Sequence, residues 1–153
     1  MSITIYTDGS SRGNPGRGGY GVILMSGTHR KELSGGFRMT TNNRMELLAV
    51  IMGLEALKKT WNGCAHFFRQ QIHCGCGRKR LAAQMDCHTL CWWQKNQDLW
   101  MRYDRVARKH HVRFKWVKGH ADNPYNNRCD ELATAAADGT DLAEDTGYVA
   151  EVR

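Results

Sequence analysis

The stretch Ile3-Thr4-Ile5-Tyr6-Thr7-Asp8-Gly9-Ser10 predicts a β-strand that ends in a turn. Polar and apolar residues alternate along it, β-branched and aromatic side chains are frequent, and Gly9 ends the pattern. The last ordered position of the strand is a carboxylate, Asp8. Because open α/β sheets place functional groups at the carboxyl ends of their central strands, we expect Asp8 to belong to a site at that edge.

The composition predicts one globular domain, residues 1–153, with an anionic partner. The formal charge is +7 and the pI is about 9.3, which favours nucleic acid over a membrane because no strongly amphipathic basic helix is evident. No apolar run is long enough to span a bilayer, and the N-terminus lacks the pattern of a signal peptide. We therefore expect a cytoplasmic protein with no membrane partner.

The first sixty residues predict a meander of three antiparallel strands followed by a helix. Residues 11–19 are a glycine-rich loop that matches neither a dinucleotide-binding fingerprint nor a P-loop. The second strand is expected at Tyr20–Met25 and the third at Lys31–Phe37, since short connections favour antiparallel pairing. From Thr41, which offers a helix cap, apolar residues recur at helical spacing to about Lys59.

The last third of the chain predicts a helix, a strand and a second helix. Leu99, Tyr103 and Val106 fit one helical face, and Val112–Val117 alternates as a strand. Residues 126–137 continue as a helix after a loop. We expect the final fifteen or so residues to be a loosely ordered tail.

The segment between Asn62 and Lys95 has a different character. Most of it follows neither the period of a strand nor that of a helix. It contains five cations against one acid, Asp86. It also contains five of the six cysteines of the chain, which are Cys64, Cys74, Cys76, Cys87 and Cys91.

Three motifs stand out along the chain, which are Thr7–Ser10 (TDGS), Thr41–Glu46 (TNNRME), and Trp116–His120 (WVKGH) followed by Cys129–Ala133 (CDELA). In this order and spacing they resemble bacterial ribonuclease HI closely. The resemblance extends over residues 1–60 and 96–150, about three quarters of the chain.

The resemblance implies an α/β ribonuclease H-like fold, a five-stranded mixed sheet in the order 3-2-1-4-5 with helices on both faces. It also implies hydrolysis of the RNA strand of an RNA–DNA hybrid by a monomeric endonuclease. Family catalysis uses two Mg²⁺ ions, for which Mn²⁺ can substitute, held by four carboxylates. Two divalent ions suit this reaction because they activate a water and stabilise the leaving oxygen of an anionic phosphodiester.

Position by position, the resemblance assigns three metal ligands, Asp8, Glu46 and Asp130. Taken alone, Glu46 is equally an acid near a helix N-terminus, and Asp130 an acid on a solvated helix face. His120 matches the histidine that transfers protons, work suited to a titratable imidazole in a loop. The positions expected to contact the hybrid are Gly9, Ser10, Asn14, Thr41, Asn42 and Asn43. Thr41 and Asn42 are also candidate helix caps.

The fourth carboxylate of the family is missing. It belongs at the end of the fourth strand, expected near residues 65–72, in a pattern such as Ser-Asp-Ser. Here the chain reads His66-Phe67-Phe68-Arg69-Gln70-Gln71-Ile72, with Arg69 at the position of the aspartate. We expect severely impaired catalysis in this chain.

One hypothesis for this segment is that it is translated from a shifted reading frame. Permitted codons from His66 onward, read one base later, give Ile-Phe-Ser-Asp-Ser-Lys-Tyr-Ile, which is a buried strand with the missing aspartate. Two compensating single-base errors bounding Cys64–Gln94 would explain the lost period, the cysteines and the absent acid together. Resequencing the gene tests this hypothesis, which fails if the codons cannot yield Ser-Asp-Ser.

Two other interpretations stay open. Cys74, Cys76, Cys87, His88 and Cys91 are zinc-type ligands, although their spacing is not that of structural zinc sites. The basic and aromatic residues of the same segment are also suited to binding nucleic acid through phosphates and stacking. At the level of function, the alternative to an endonuclease is an inactive module that binds a hybrid or duplex without cutting it.

Overall fold

The computed structural model describes residues 3–57, 64–69, 96–116 and 123–152. Its central element is a mixed β-sheet flanked by helices. The strands are β1 (Ile3–Ser11), β2 (Gly16–Ser26), β3 (His29–Thr40), β4 (Cys64–Arg69), β5 (His111–Trp116) and β6 (Leu142–Ala143). The helices within these ranges are α1 (Asn42–Glu55), α2 (Gln97–Ala107), α3 (Pro124–Asp138) and α4 (Thr146–Val152).

The strand order is β5-β4-β1-β2-β3-β6. The expected five-strand order is therefore confirmed, and the two-residue β6 adds an edge that we did not predict. β1 pairs antiparallel with β2, β2 antiparallel with β3, and β1 parallel with β4, which pairs parallel with β5. This arrangement makes β1 an inner strand with a neighbour on each side and places Asp8 near its carboxyl end.

The strands are longer than predicted because glycines serve close packing as well as turns. β2 begins at Gly16, inside the expected glycine-rich loop, and β3 continues to Thr40. A Cβ atom on Gly19 would overlap the backbone of α3, whereas one on Gly18 would meet Met45 of α1. The two helices thus lie on opposite faces of the sheet, and the glycines let them approach its backbone.

The main core lies between β1, β2 and α1. Ile5 of β1 and Val22 of β2 are fully buried, and Met45 and Ile51 of α1 pack into the same cluster as Trp100 of α2. This cluster fixes α1, and hence its first turn, against the centre of the sheet.

Helix α1 ends at Glu55 rather than near Lys59 as predicted. The N–H of Leu57 donates to the carbonyl of Leu54 at 3.1 Å, a tighter turn than the α-helix, which closes the helix end. The apolar periodicity that continues to Leu57 reflects packing of this turn against the core.

The expectation of a loosely ordered tail is wrong. β6 pairs with Gly36 and Phe37 of β3, and Asp145 is buried at 8% exposure. Asp145 accepts hydrogen bonds from Thr40 and Arg44, far away in the sequence. Such contacts leave no local periodicity, so the sequence pattern could not reveal them. None of the helices in the described ranges has the length and apolar character needed to cross a membrane.

Candidate active site at the carboxyl end of the first strand

Two carboxylates from different elements face each other at the end of β1. Asp8 comes from β1 and Asp130 from α3, and their side chains are within hydrogen-bonding reach. Burial and then the charge of Asp130 raise the pKa of Asp8 to about 7, although the Gly9 N–H donates to its Oδ1 at 2.9 Å and opposes the rise. The pair therefore concentrates negative charge where water is scarce, which favours a bound cation.

Helix α3 is fixed over β1 by an aromatic contact. The ring of Tyr125, in the first turn of α3, stacks on Tyr6 with centroids 4.9 Å apart. Asn123 caps the helix by accepting from the N–H groups of Tyr125 and Asn126. Together these contacts set the position of α3 relative to β1, and they therefore place Asp130 against Asp8.

Glu46 reaches the site through the backbone of α1. A Cβ atom on Gly9 would overlap backbone atoms of Met45 and Glu46, so the first turns of α1 lie directly on the residue after Asp8. Glu46 is partly exposed, and it takes part in a hydrogen-bonding or electrostatic interaction. Even so, no three His, Cys, Asp or Glu side chains among the described residues form a group able to hold a metal. The structure thus brings Asp8 and Asp130 together and sets Glu46 beside them.

Gly9→Ala is expected to destabilise the protein by about 2–3 kcal/mol, because the new methyl group must push α1 away from β1. Urea unfolding followed by circular dichroism measures this loss. The matched control is Gly139→Ala, where the nearest atom to a new Cβ, the carbonyl oxygen of Ala136, lies at an ordinary 3.4 Å. Equal stability of the two variants would contradict the close approach.

The predicted substrate-contact residues form two adjoining groups. Asn42 Oδ1 accepts from the N–H of Ser11 at 3.0 Å, and the N–H of Asn42 donates to Asn14 Oδ1 at 3.2 Å. Thr41 caps α1 by accepting from the N–H of Arg44 at 3.3 Å. Capping thus belongs to Thr41, while the Asn42 side chain joins the end of β1 to the start of α1. Gly9 and Ser10 lie at the end of β1 below them.

Asn43 occupies the first turn of α1 and is partly exposed, whereas Asn42 and Asn14 are exposed. Exposed amides close to the end of β1 can contact a ligand while Asp8 and Asp130 act on it. His120 lies outside the described residues, as do the cysteine and histidine candidates for zinc from Cys74 to Cys91.

β4 supplies no acid to the site. Its residues Cys64–Arg69 contain none, and Arg69 at its end pairs with Thr7, the residue before Asp8. The sequence prediction that a cation stands near the position of the fourth carboxylate is consistent with this register.

Asn126 is a candidate site residue that the sequence motifs did not indicate. It lies one helical turn before Asp130, so both side chains are on the same face of α3. Asn126 is only 1% exposed, and neither its amide nitrogen nor its amide oxygen has a hydrogen-bond partner among the residues that the structure describes. Its spacing of four residues from Asp130 was the signal that could have identified it.

Comparison with known proteins identifies close relatives. The family described as RNase H matches residues 1–138. A ribonuclease H of Aeromonas hydrophila is 48% identical over 148 residues, which cover 95% of this chain and 96% of the relative. A ribonuclease HI of Shewanella oneidensis is 47% identical, with 97% and 96% covered. Among solved structures, LC11-RNase H1 in complex with an RNA/DNA hybrid is similar in fold, with a TM-score of 0.68, 24% identity, and 89% and 96% covered.

Proposed function

The chain belongs to the ribonuclease H family, and from that membership we propose that it is a hydrolase that cuts the RNA strand of RNA–DNA hybrids. The observation that carries the proposal onto this chain is the contact between Asp8 and Asp130 at the end of β1. Relatives that bear the name ribonuclease H support the substrate class. We further propose that residues 1–153 act as one domain, as a monomer in the cytoplasm.

Asp8, Glu46 and Asp130 are the proposed ligands of two Mg²⁺ ions, with Mn²⁺ as a substitute. Their fit is chemical, because all three offer the hard oxygen atoms that Mg²⁺ prefers. When bound, the ions supply Lewis acidity, which activates a water and stabilises the leaving oxygen. The raised pKa of Asp8 means that its carboxyl must release its proton before it can serve as a ligand at neutral pH.

The remaining residues orient the substrate. Asn14, Asn42 and Asn43 are proposed to read 2′-hydroxyls and minor-groove edges, which distinguish RNA from DNA. Thr41 lies beside them, and Gly9 and Ser10 allow the RNA backbone to approach closely. His120 is proposed to transfer a proton to or from the reacting oxygen, work that suits a titratable imidazole.

The lack of an acid in β4 favours a second function, which is binding of a hybrid without cleavage. Cys64–Arg69 carries no acid and ends in Arg69 beside Thr7, at the strand end where the family resemblance implies a fourth carboxylate. We propose that metal binding and cleavage are impaired as a result. In the extreme case the protein binds hybrids without cutting them.

The test is an assay of a labelled RNA–DNA hybrid with and without Mg²⁺, beside the same sequence as duplex DNA and as single-stranded RNA. Metal-dependent scission confined to the RNA strand of the hybrid supports the enzyme. Tight binding of the hybrid without scission supports the binding module. Failure to bind the hybrid in preference to duplex DNA overturns both.

A further inference from the structure

A buried arginine occupies the first turn of α1. Arg44 lies between Asn43 and Glu46, yet its side chain is 1% exposed and points away from solvent into a polar cluster. The Arg44 cluster comprises Thr40, Arg44, Asn96, Asp98 and Asp145. It lies outside the carboxylate site described above.

All five N–H donors of the Arg44 guanidinium are directed at acceptors. Nε and Nη2 donate to the two oxygens of Asp145 at 2.7 and 2.8 Å. Nη1 and Nη2 donate to the two oxygens of Asp98 at 2.8 and 2.7 Å, and Nη1 also donates to Asn96 Oδ1 at 3.3 Å. Two paired forks of this kind fix the guanidinium plane and its direction.

The C-terminal segment closes over this arginine. Asp145 also accepts from Thr40 Oγ1 at 2.6 Å and from the N–H of Tyr148 at 3.3 Å. A Cβ atom on Gly147 would overlap both Asp98 Oδ2 and Arg44 Nη2, so the backbone of α4 lies directly on the ion pairs. The cluster therefore joins the end of β3, the start of α1, the start of α2 and the C-terminal segment.

The same residue orients the surface that carries the asparagines. The backbone N–H of Arg44 donates to the capping oxygen of Thr41, and the side chain of Asn42 holds Ser11 of β1. Asp145 of the C-terminal segment fixes the side chain of Arg44. That segment therefore also sets the position of the adjoining turn, Thr41–Asn43. A buried ion pair often contributes little net stability. The two paired sets of hydrogen bonds to Asp98 and Asp145 fix the direction of the Arg44 side chain, which is consistent with a positioning role.

We propose that Arg44 and Asp145 are positioning residues for hybrid recognition: the C-terminal segment, through this ion pair, holds Asn42 and Asn43 in the orientation that distinguishes a hybrid from duplex DNA. This inference rests on the proposed function, because it concerns the same substrate.

The test is equilibrium binding without cleavage. Fluorescence anisotropy measures the dissociation constants for an RNA–DNA hybrid and for duplex DNA of the same sequence in EDTA, at a temperature where circular dichroism shows every variant folded. For Asp145→Asn and Arg44→Lys we expect the constant for the hybrid to rise about tenfold and that for duplex DNA to change less than about twofold. Thr40→Val, which removes only one hydrogen bond to Asp145, should change the preference in the same direction by about twofold.

The matched control is Asp104→Asn, which removes an exposed ion pair between Asp104 of α2 and Arg108, the residue that follows this helix. Its hybrid preference should equal that of the unmodified chain. Variants that stay folded and keep the original ratio of the two constants, or that weaken both ligands equally, overturn the inference while leaving the proposed function intact. An unmodified chain with no preference for the hybrid overturns the proposed function and this inference with it. Thr40→Val decides the outcome if the other two variants do not fold.

Discussion

A version of this chain that carries Phe68→Ser, Arg69→Asp and Gln70→Ser should cleave an RNA–DNA hybrid in Mg²⁺ at least about 100-fold faster than the unmodified chain. The substitutions place a carboxylate at the end of β4, where Arg69 pairs with Thr7 beside Asp8. A cation at this register position repels Mg²⁺, whereas a carboxylate adds a ligand and further negative charge. Initial rates under saturating Mg²⁺ measure the difference.

The matched control replaces the introduced aspartate by its uncharged isostere, in a version with Phe68→Ser, Arg69→Asn and Gln70→Ser. This control removes the cation without adding a carboxylate, so we expect it to remain within about tenfold of the unmodified chain. Unmodified and restored chains of equal activity would refute the proposed cause of the impairment. If the Arg69→Asp variant with all three substitutions has a native far-ultraviolet circular dichroism spectrum and still cleaves slowly, position 69 has no role in catalysis.

Asp8→Asn should stabilise the metal-free protein while removing its activity. The folded form raises the pKa of Asp8 from 3.8 to about 7, mainly through burial and then through the charge of Asp130. The folded state therefore holds this proton more tightly than the unfolded state, and stability falls as the pH rises from about 4 through 7. Since each pKa unit is worth about 1.4 kcal/mol, the neutral amide should add about 2–4 kcal/mol at pH 8 and little at pH 4.

Urea unfolding at both pH values in EDTA measures this gain. Added Mg²⁺ should narrow the difference, because an ion held by the carboxylates stabilises the unmodified chain more than the variant. The matched control is Asp138→Asn, which removes an exposed ion pair with Arg12 and should change stability by less than about 0.5 kcal/mol. An Asp8→Asn variant less stable than the unmodified chain at pH 8 in EDTA would contradict the unfavourable Asp8–Asp130 contact.

Local patterns predicted the elements that carry the proposed chemistry. Alternation in Ile3–Ser10 located β1, helical spacing located α1 and α3, and a carboxylate at a strand end identified Asp8. The family motifs added Asp130, and the structure brings these two side chains together. The strand order also followed from the resemblance and is confirmed for the five expected strands.

The long-range polar contacts could not be predicted. Arg44 and Asp145 are 101 residues apart, and a lone arginine in a helical pattern gives no sign that it is buried. A loosely ordered tail was expected, yet Asp145 docks it on the end of β3. Likewise, the glycines of β2 suggested a loop, because sequence patterns do not record how closely a helix will approach a strand.

The separation of Arg44 from Asp145 in the sequence also means that these two partners are translated at different times. At about 5–20 residues per second, a ribosome needs roughly 5–20 seconds to add the residues between them. During that interval the nascent chain can pair β1, β2 and β3, but Arg44 has no Asp145 to bind. A residue translated long after α1 therefore completes the start of that helix, and a polypeptide released before residue 145 would leave Arg44 without this buried partner.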